Sequence, residues 1–503
     1  MKFSKSTWAA VGAALLVAAC GGGGDGGNAG SVNNNPGRGT LVQSPPPRTL
    51  SLSAAEFSGE LIAAGASGQT LLQLATGSTS GTLPCGIDVH YIKYGTVGGK
   101  GEATQASAAL MVPTGPGANC SGARPIVLHA HGTAVERRYN LADFIDATNP
   151  AHGEQTLVAS QLAAKGYIVV APNYAGYDSS PLPYHPFLVA DQQSKDMIDA
   201  LTAARTALPS LLAPVSDNGK LFITGISQGG HVAMATLRAM RALNMTVTAT
   251  APLEPVSSLL NYGDAIISGQ VPAGSTTLMP MVINGYQKTY GTIYSAPTDY
   301  YSSTYAAGIE AAFPGNYTST TLITSGIVPA ATLFSGGAAS SPAAFAQLFA
   351  GGVGPGNLIT DTARSAYATD IPNATPTNAL RSALKLNDVL SMTVDKPMML
   401  CGGAQDPTVF FYVNADYFAA THASNPYLSI LDLENTYPVT NSLGTVTKVT
   451  GATISALQAG FQQAKIATQA AAPTDPLAVV KAYHGSLVPP FCLAAASGYF
   501  ANF

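Results

Sequence analysis

The stretch "LFITGISQGGHVAMATLRAM", residues 221–240, changes its pattern in the middle. An apolar run typical of a buried strand ends at "GISQG" (225–229), and apolar residues at helical spacing follow at once. The two glycines on either side of Ser227 favour a tight turn in which a strand and a helix pack closely. We expect this turn to hold the serine hydroxyl above the edge of a sheet, beside the free N–H groups of a helix N-terminus.

Apolar strand candidates alternate with helical stretches on both sides of this turn. Strands are predicted at 125–130, 167–173, 221–227, 247–255 and 396–403, and helices at 157–166, 189–208 and 228–242. Fully apolar strands that alternate with helices indicate a mostly parallel sheet with helices on both faces. Two strands within 87–113, around a glycine-rich turn at 98–101, predict an antiparallel hairpin at its edge. The fold class is therefore α/β.

The alternation lapses from about residue 256 to 385, where the chain is rich in Tyr, Ser, Thr, Gly and Pro. A block of this size between two sheet strands predicts a large inserted cap domain. The resulting division of the chain is a signal peptide at 1–19, a tether at 20–48, a first part of the core at 49–255, the cap at 256–385 and a second part of the core at 386–503.

Composition narrows the classes of protein that the chain can belong to. Hydrophobic residues make up 46% of the 503 residues, and charged residues only 10%, against a usual quarter. A surface made mostly of Ser, Thr, Asn, Gln and Gly is typical of an exported protein. The net charge of -4 gives no basis for nucleic-acid binding, which needs a basic face.

The N-terminus predicts export. A short basic start and an apolar stretch at 8–19, too short to span a bilayer, are typical of a signal peptide. The residues "VAAC" (17–20) resemble the lipobox of bacterial lipoproteins, which implies acylation of Cys20 and a lipid anchor in a membrane. The alternative is ordinary cleavage, with Cys20 incidental. The predicted location is the bacterial outer membrane or cell surface, or the medium. The Gly-, Asn- and Pro-rich residues 20–48 have almost nothing to bury and predict a disordered tether.

Four cysteines remain after Cys20, and an even number in an exported chain indicates two disulfides. A hairpin brings its outer ends together, and Cys85 and Cys120 flank the ends of the predicted edge hairpin. This pairing leaves Cys401 and Cys492 for the second disulfide.

A serine nucleophile needs a histidine base and a carboxylate that orients the histidine. Sheet topology places the acid after a later strand, where Asp406 follows the strand at 396–403. The alternative is that Asp406 only caps a helix at 408–420. Among eight histidines, six precede Asp406 and fail the chain order serine, acid, histidine. His484 is the expected base, with His422 as the alternative.

The oxyanion formed in such a reaction needs two N–H donors. The residue after the nucleophile, Gln228, is one expected donor, and Thr133 in "HGT" (131–133), after the strand at 125–130, is the other. His129, His131 and His231 are interpreted as structural residues. No metal or cofactor is indicated, because the histidines lack metal-ligand spacing and the cysteines are assigned to disulfides.

The stretches "HAHGT", "GISQGG" and "GAQDP", together with residues 171–205, resemble the α/β-hydrolase superfamily, in particular capped secretory lipases and bacterial lipoprotein esterases. The resemblance covers about 85–255 and 390–492. It implies cleavage of carboxylic esters, by way of an acyl-enzyme, and a substrate contact for Tyr174 or Tyr177. An ester substrate is thus the expected partner, and no protein partner is predicted.

Three questions stay open at this point. Six tyrosines of the predicted cap form either a platform for an apolar or polymeric ester or ordinary packing: Tyr286, Tyr290, Tyr294, Tyr300, Tyr301 and Tyr305. A secreted exopeptidase of the same fold would use the same three catalytic residues. A non-catalytic surface-binding lipoprotein would keep the fold alone.

Overall fold

A computed structural model describes residues 36–213, 215–336, 356–435, 439–441, 444–446 and 448–503. The predicted signal peptide, Cys20 and residues 20–35 of the predicted tether lie outside the described residues. The end of that predicted tether contacts the sheet. Arg38 forms an ion pair with Asp199 at 3.0 Å, and the N–H group of Val42 donates to the carbonyl of Lys93 at 2.8 Å.

Nine strands form one mostly parallel sheet in the order β1-β2-β3-β5-β4-β6-β7-β8-β9. The strands are β1 (Arg48–Leu52), β2 (Gly86–Val97), β3 (Ala103–Thr114), β4 (Gly122–Ala130), β5 (Ile168–Pro172), β6 (Val215–Ile226), β7 (Ala249–Leu253), β8 (Met398–Gly402) and β9 (Leu428–Asp432). The pairs β1–β2, β2–β3 and β3–β5 are antiparallel, and the remaining neighbours are parallel. A separate small ladder joins β10 (Val439–Asn441) and β11 (Gly444–Val446).

Helices connect the strands and form the segment between β7 and β8. They are α1 (Ala54–Ala63), α2 (Ala66–Thr76), α3 (His152–Gln161), α4 (Ala190–Ala207), α5 (Gln228–Ala242), α6 (Leu259–Ile267), α7 (Ser275–Tyr290), α8 (Ser303–Ala306), α9 (Ser319–Thr324), α10 (Asp361–Asp370), α11 (Ala379–Asn387), α12 (Ala415–Thr421), α13 (Ala452–Ala471), α14 (Ala478–Ala482) and α15 (Val488–Phe500). None of the described helices is long and apolar enough to cross a bilayer.

The mostly parallel sheet with an antiparallel edge confirms the predicted fold class. The edge hairpin β2–β3 pairs from Gly86–Thr114 to Val97–Ala103, as its glycine-rich turn indicates. Some elements differ from the sequence prediction. Strands β1 and β9 were not predicted. The helix expected at 408–420 is shorter, because turns occupy the chain until α12 begins at Ala415.

Buried apolar side chains form two clusters. The larger cluster lies on the faces of the sheet, with fully buried residues of β2 to β8. The second cluster is made mainly by the helices between β7 and β8, and includes the predicted cap tyrosines Tyr286, Tyr294, Tyr300 and Tyr301. An inserted cap requires a buried apolar cluster of its own, and the second cluster meets this requirement. The domain boundaries themselves stay a prediction.

Both expected disulfides are present. Cys85 and Cys120 join across the outer ends of the edge hairpin, with a Cα–Cα distance of 5.5 Å. Cys401 in β8 joins Cys492 in α15, also at 5.5 Å, and closes a separation of 91 residues. The second disulfide therefore fixes the C-terminal helix to the strand that leads to Asp406.

Candidate active site

Ser227 lies in the turn between β6 and α5, with a left-handed backbone (φ 58°) that is rare for residues other than glycine. Its N–H group donates to the carbonyl of Leu253 at 2.9 Å, which holds the strained turn in place. A Cβ atom at Gly225 would lie 2.3 Å from the carbonyl oxygen of Gly229, and one at Gly229 would lie 1.9 Å from that of Ala130. Both glycines are therefore required by close packing.

His484 joins Ser227 to Asp406. Its Nε2 atom lies 2.8 Å from the Ser227 Oγ atom, and its Nδ1 atom lies 2.7 Å from the Asp406 Oδ2 atom. A carboxylate at Nδ1 accepts the Nδ1–H proton and leaves Nε2 free to accept one from the serine hydroxyl. The ring is carried by a π-helical turn, Tyr483–Leu487, directly before α15, and turns of this kind are frequent at functional sites.

The alternative histidine is not at this site. His422 ends α12, and its Nδ1 and Nε2 atoms lie 2.9 Å from the carbonyl oxygens of Phe418 and Met392. Its ring is thus used in backbone contacts. Of the two candidates that the sequence left open, the structure brings His484 to Ser227.

Asp406 is buried and has two sets of partners. Its Oδ1 atom accepts N–H groups of Thr408 at 2.8 Å and Val409 at 3.0 Å, while Oδ2 faces His484. Asp406 thus caps a turn rather than a helix and also contacts His484, while its catalytic role stays a prediction. The backbone donors stabilise the charged form of its carboxylate.

A second carboxyl group, that of Glu254, lies at the same histidine and was missed in the sequence. Its Oε1 atom is 3.3 Å from His484 Nδ1, and the side chain is fully buried. Burial, with the charge of Asp406 adding to it, raises the pKa of Glu254 to about 8. Glu254 directly follows β7, so the rule that singled out Asp406, a carboxyl at the end of a sheet strand, identifies it equally well.

The two carboxyl groups affect the protonation state of His484. Burial disfavours the imidazolium form of His484, but the negative charge of Asp406, and next that of Glu254, outweighs it and raises the pKa of His484 well above its usual range. A proton transferred from Ser227 to Nε2 is therefore held strongly.

The loop after β4 is held beside Ser227 by Glu154. Its carboxylate accepts the Gly132 N–H group at 3.2 Å, the Tyr139 hydroxyl at 2.8 Å and contacts His129 Nε2 at 2.8 Å. Thr133, the next residue, lines the same cavity as Ser227 and Gln228. Gln228 is the first residue of α5, so its main-chain N–H group is among those without a partner inside the helix. The two expected oxyanion donors thus flank the serine.

Tyr174 and Tyr177 are not among the described residues that line the cavity, contrary to the contact that the resemblance implied. Both side chains are fully buried. The Tyr174 hydroxyl donates to the His131 carbonyl at 3.2 Å, and the Tyr177 hydroxyl donates to the Ala134 carbonyl at 2.6 Å. The tyrosines therefore support the loop that carries Thr133.

A cavity opens beside Ser227. Its wall is mostly apolar, with contributions from α6, α7 and α11 such as Leu259, Ile266, Leu278, Met279 and Leu384. Among the described residues that line it, none is charged. None of the six cap tyrosines lines it either, so their arrangement favours packing over a platform. The apolar wall suits an apolar group of a substrate.

Comparison with known proteins gives structural relatives only. No family model and no curated protein matches the chain. The rice cell-wall-degrading esterase LipA from Xanthomonas oryzae aligns with a TM-score of 0.63 and 26% identity, over 79% of this chain and 91% of the esterase. A protein from Legionella pneumophila aligns with a TM-score of 0.59 and 17% identity, over 78% of this chain and 90% of that protein, which shows a shared fold alone.

Proposed function

Since the chain has the α/β-hydrolase fold, we propose that it is a carboxylic ester hydrolase with Ser227 as nucleophile, His484 as general base and Asp406 as the acid that orients the base. One observation carries the proposal: His484 lies within 2.8 Å of the serine hydroxyl and within 2.7 Å of the carboxylate. The esterase from Xanthomonas oryzae, at 26% identity over most of both chains, supports the same reaction class.

The reaction proceeds through an acyl-enzyme. The Ser227 Oγ atom attacks the ester carbonyl carbon while its proton passes to His484 Nε2, and Asp406 stabilises the imidazolium. The main-chain N–H groups of Gln228 and Thr133 bind the oxyanion. The bond to the alcohol oxygen then breaks, and His484 protonates the leaving alcohol. Water, deprotonated by the same histidine, releases the carboxylic acid and restores the serine.

The cavity supports an apolar substrate. Each buried methylene group contributes about 0.8 kcal/mol, so a wall of leucine, isoleucine and methionine side chains favours esters with a hydrocarbon chain of some length. The apolar wall of the cavity favours a lipid ester over a short-chain or polymeric ester.

Two other functions receive less support. An exopeptidase of this fold needs charged groups that bind a free terminus, and the described lining of the cavity has none. A binding protein without activity has no use for a serine, a histidine and a carboxylate held in hydrogen-bond contact.

The experiment is a parallel assay of p-nitrophenyl esters of increasing acyl length and of aminoacyl anilides, with the Ser227→Ala variant as the blank. We expect ester turnover that is lost in the variant. Anilide cleavage without ester cleavage would establish the exopeptidase, and the absence of both would favour the binding protein.

We also propose that the protein is exported and anchored through Cys20. The two disulfides support an oxidising compartment, and the anchor itself rests on the lipobox resemblance at 17–20.

A further inference from the structure

Glu254 is held in an unusual place by the backbone. Its φ angle is 47°, in the left-handed region, and its N–H group donates to the carbonyl of Cys401 at 2.7 Å. Cys401 belongs to β8, the strand that leads to Asp406. A buried acid in a sparsely populated backbone conformation costs free energy on both counts, and such features collect at functional sites.

The two acids reach the same side of the imidazole ring. Asp406 Oδ2 is 2.7 Å from His484 Nδ1, and Glu254 Oε1 is 3.3 Å from the same atom. One ligand atom from each of the three residues lies within 4.8 Å of the others. Neither carboxyl oxygen of Glu254 makes a well-aligned hydrogen bond with any described residue.

The surroundings decide which acid carries the negative charge. Asp406 accepts two backbone N–H groups as well as the histidine, whereas the described residues offer Glu254 no backbone donor. The titratable groups that face Glu254 are His484 and Asp406, and Tyr262 and Tyr483 lie near Asp406. Burial raises the pKa of Glu254 to about 8, so Glu254 is neutral at pH 7.

We propose that Glu254 is a second acidic positioning residue for His484. It keeps the ring in its working orientation and accepts a hydrogen bond from Nδ1–H when Asp406 cannot. The inference rests on the proposed role of His484 as base. In this role Glu254 affects the reaction through its contact with His484, whereas an acid that only stabilises the fold does not.

The test compares Asp406→Ala, Glu254→Gln and the double variant in ester hydrolysis. Alanine removes the carboxylate of Asp406 without placing a donor at Nδ1. Loss of the orienting acid alone costs about 10⁴-fold in a serine hydrolase. We expect Asp406→Ala to lose clearly less than that, and the double variant to lose at least about 10-fold more than Asp406→Ala. Glu254→Gln should lower the activity of the otherwise unchanged protein by a smaller factor, since coupled residues are not additive.

Equal kcat/KM values for Asp406→Ala and the double variant would overturn the proposal. Thermal unfolding of each variant establishes that it is folded. Glu102→Gln, which alters a carboxyl that binds the Tyr184 hydroxyl at the edge hairpin, is the matched control and should leave the coupling unchanged.

A second readout does not depend on turnover. NMR titration of the His484 ring, in a Ser227→Ala background, should give a lower pKa in Glu254→Gln than with Glu254 present. The Glu254 carboxyl ionises near pH 8 and then favours the imidazolium form, which a glutamine cannot do. An unchanged histidine pKa contradicts the role of Glu254. If the wild-type protein hydrolyses no ester, the proposed function fails, and this titration still decides whether Glu254 acts on His484.

Discussion

The Nε2 atom of His484 lies 2.8 Å from the Oγ atom of Ser227, although 257 residues separate the two in the chain. The contact depends on the turn after β6 and on the π-helical turn before α15, and both are fixed by close packing or a disulfide. Each prediction below tests one part of this arrangement.

Replacing His484 by alanine should lower kcat for ester hydrolysis by about 10⁶-fold, as loss of the base does in related chemistry. His422→Ala is the matched control, because the ring nitrogens of His422 contact the backbone carbonyls of Phe418 and Met392. Steady-state kinetics of both variants check the prediction. If the His422 variant is as inactive as the His484 variant, the assignment of His484 as the base is contradicted.

Removing the Cys401–Cys492 disulfide by a double alanine substitution should lower both stability and activity. The closed loop has a separation of 91 residues, which corresponds to about 4.6 kcal/mol of chain entropy. Activity should fall as well, because the bond joins the strand before Asp406 to the helix after His484. Urea unfolding and kinetics at low temperature measure the two effects.

The Cys85–Cys120 disulfide supplies the control for that experiment. Its separation of 35 residues corresponds to about 3.8 kcal/mol, and it lies at the edge hairpin. Its removal should lower the free energy of unfolding with little change in the kcat of the folded protein. A fall in kcat equal to that of the other pair would mean that the loss is one of general stability.

Leu278→Trp should shift the substrate preference toward short acyl chains. Leu278 is half-buried and lines the cavity, so an indole ring there occupies space for hydrocarbon. Loss of room for two methylene groups corresponds to about 1.6 kcal/mol, or a fall of roughly 10-fold in kcat/KM for long chains, while acetate esters change little. Exposed Ile62→Trp on α1 is the control, and a uniform fall across all chain lengths would argue against the cavity as the acyl site.

Glu254→Gln should change how stability depends on pH. The pKa of Glu254 is about 8 in the folded protein against an ordinary value of 4.5, so between these values the folded state holds a proton that the unfolded state has released. Stability of the wild-type protein therefore falls as pH rises through this window. The glutamine variant lacks this pH-dependent loss of stability. Urea unfolding at about pH 5 and about pH 9 should therefore show that the free energy of unfolding of the variant, relative to that of the wild-type protein, rises with pH.

Cys20→Ser should release the protein from the membrane. Acyl chains on Cys20 would account for anchoring without a spanning helix. Incorporation of a labelled fatty acid, followed by detergent phase separation, checks this prediction. Labelling that persists in the serine variant would refute the lipobox assignment.

The sequence predicts the sheet and the position of the serine because both depend on local patterns. Apolar runs at strand length and the glycines at 225 and 229 leave few alternatives, and the packing contacts of those glycines show why. Two disulfides follow from the geometry of one hairpin. Chain order left both His422 and His484, and His484 was preferred because it lies later in the chain; the structure brings His484 to Ser227.

What the sequence did not predict depends on tertiary packing. Glu254 follows β7 as Asp406 follows β8, but only the folded structure shows that both carboxyl groups approach the same histidine. Tyr174 and Tyr177 follow a strand, like contact residues, yet their hydroxyls reach backbone carbonyls of the loop at 131–134. The chain at 36–48 has little to bury by composition, but its backbone pairs with β2.

Covalent trapping of the nucleophile tests the central claim most directly. The protein is incubated with a fluorophosphonate, digested, and the modified residue is located by mass spectrometry, with Ser227→Ala as the control. We predict one modified residue, Ser227, in step with complete loss of ester hydrolysis, and no modification in the variant. Modification of another residue, or ester hydrolysis that survives full modification of Ser227, would contradict the account.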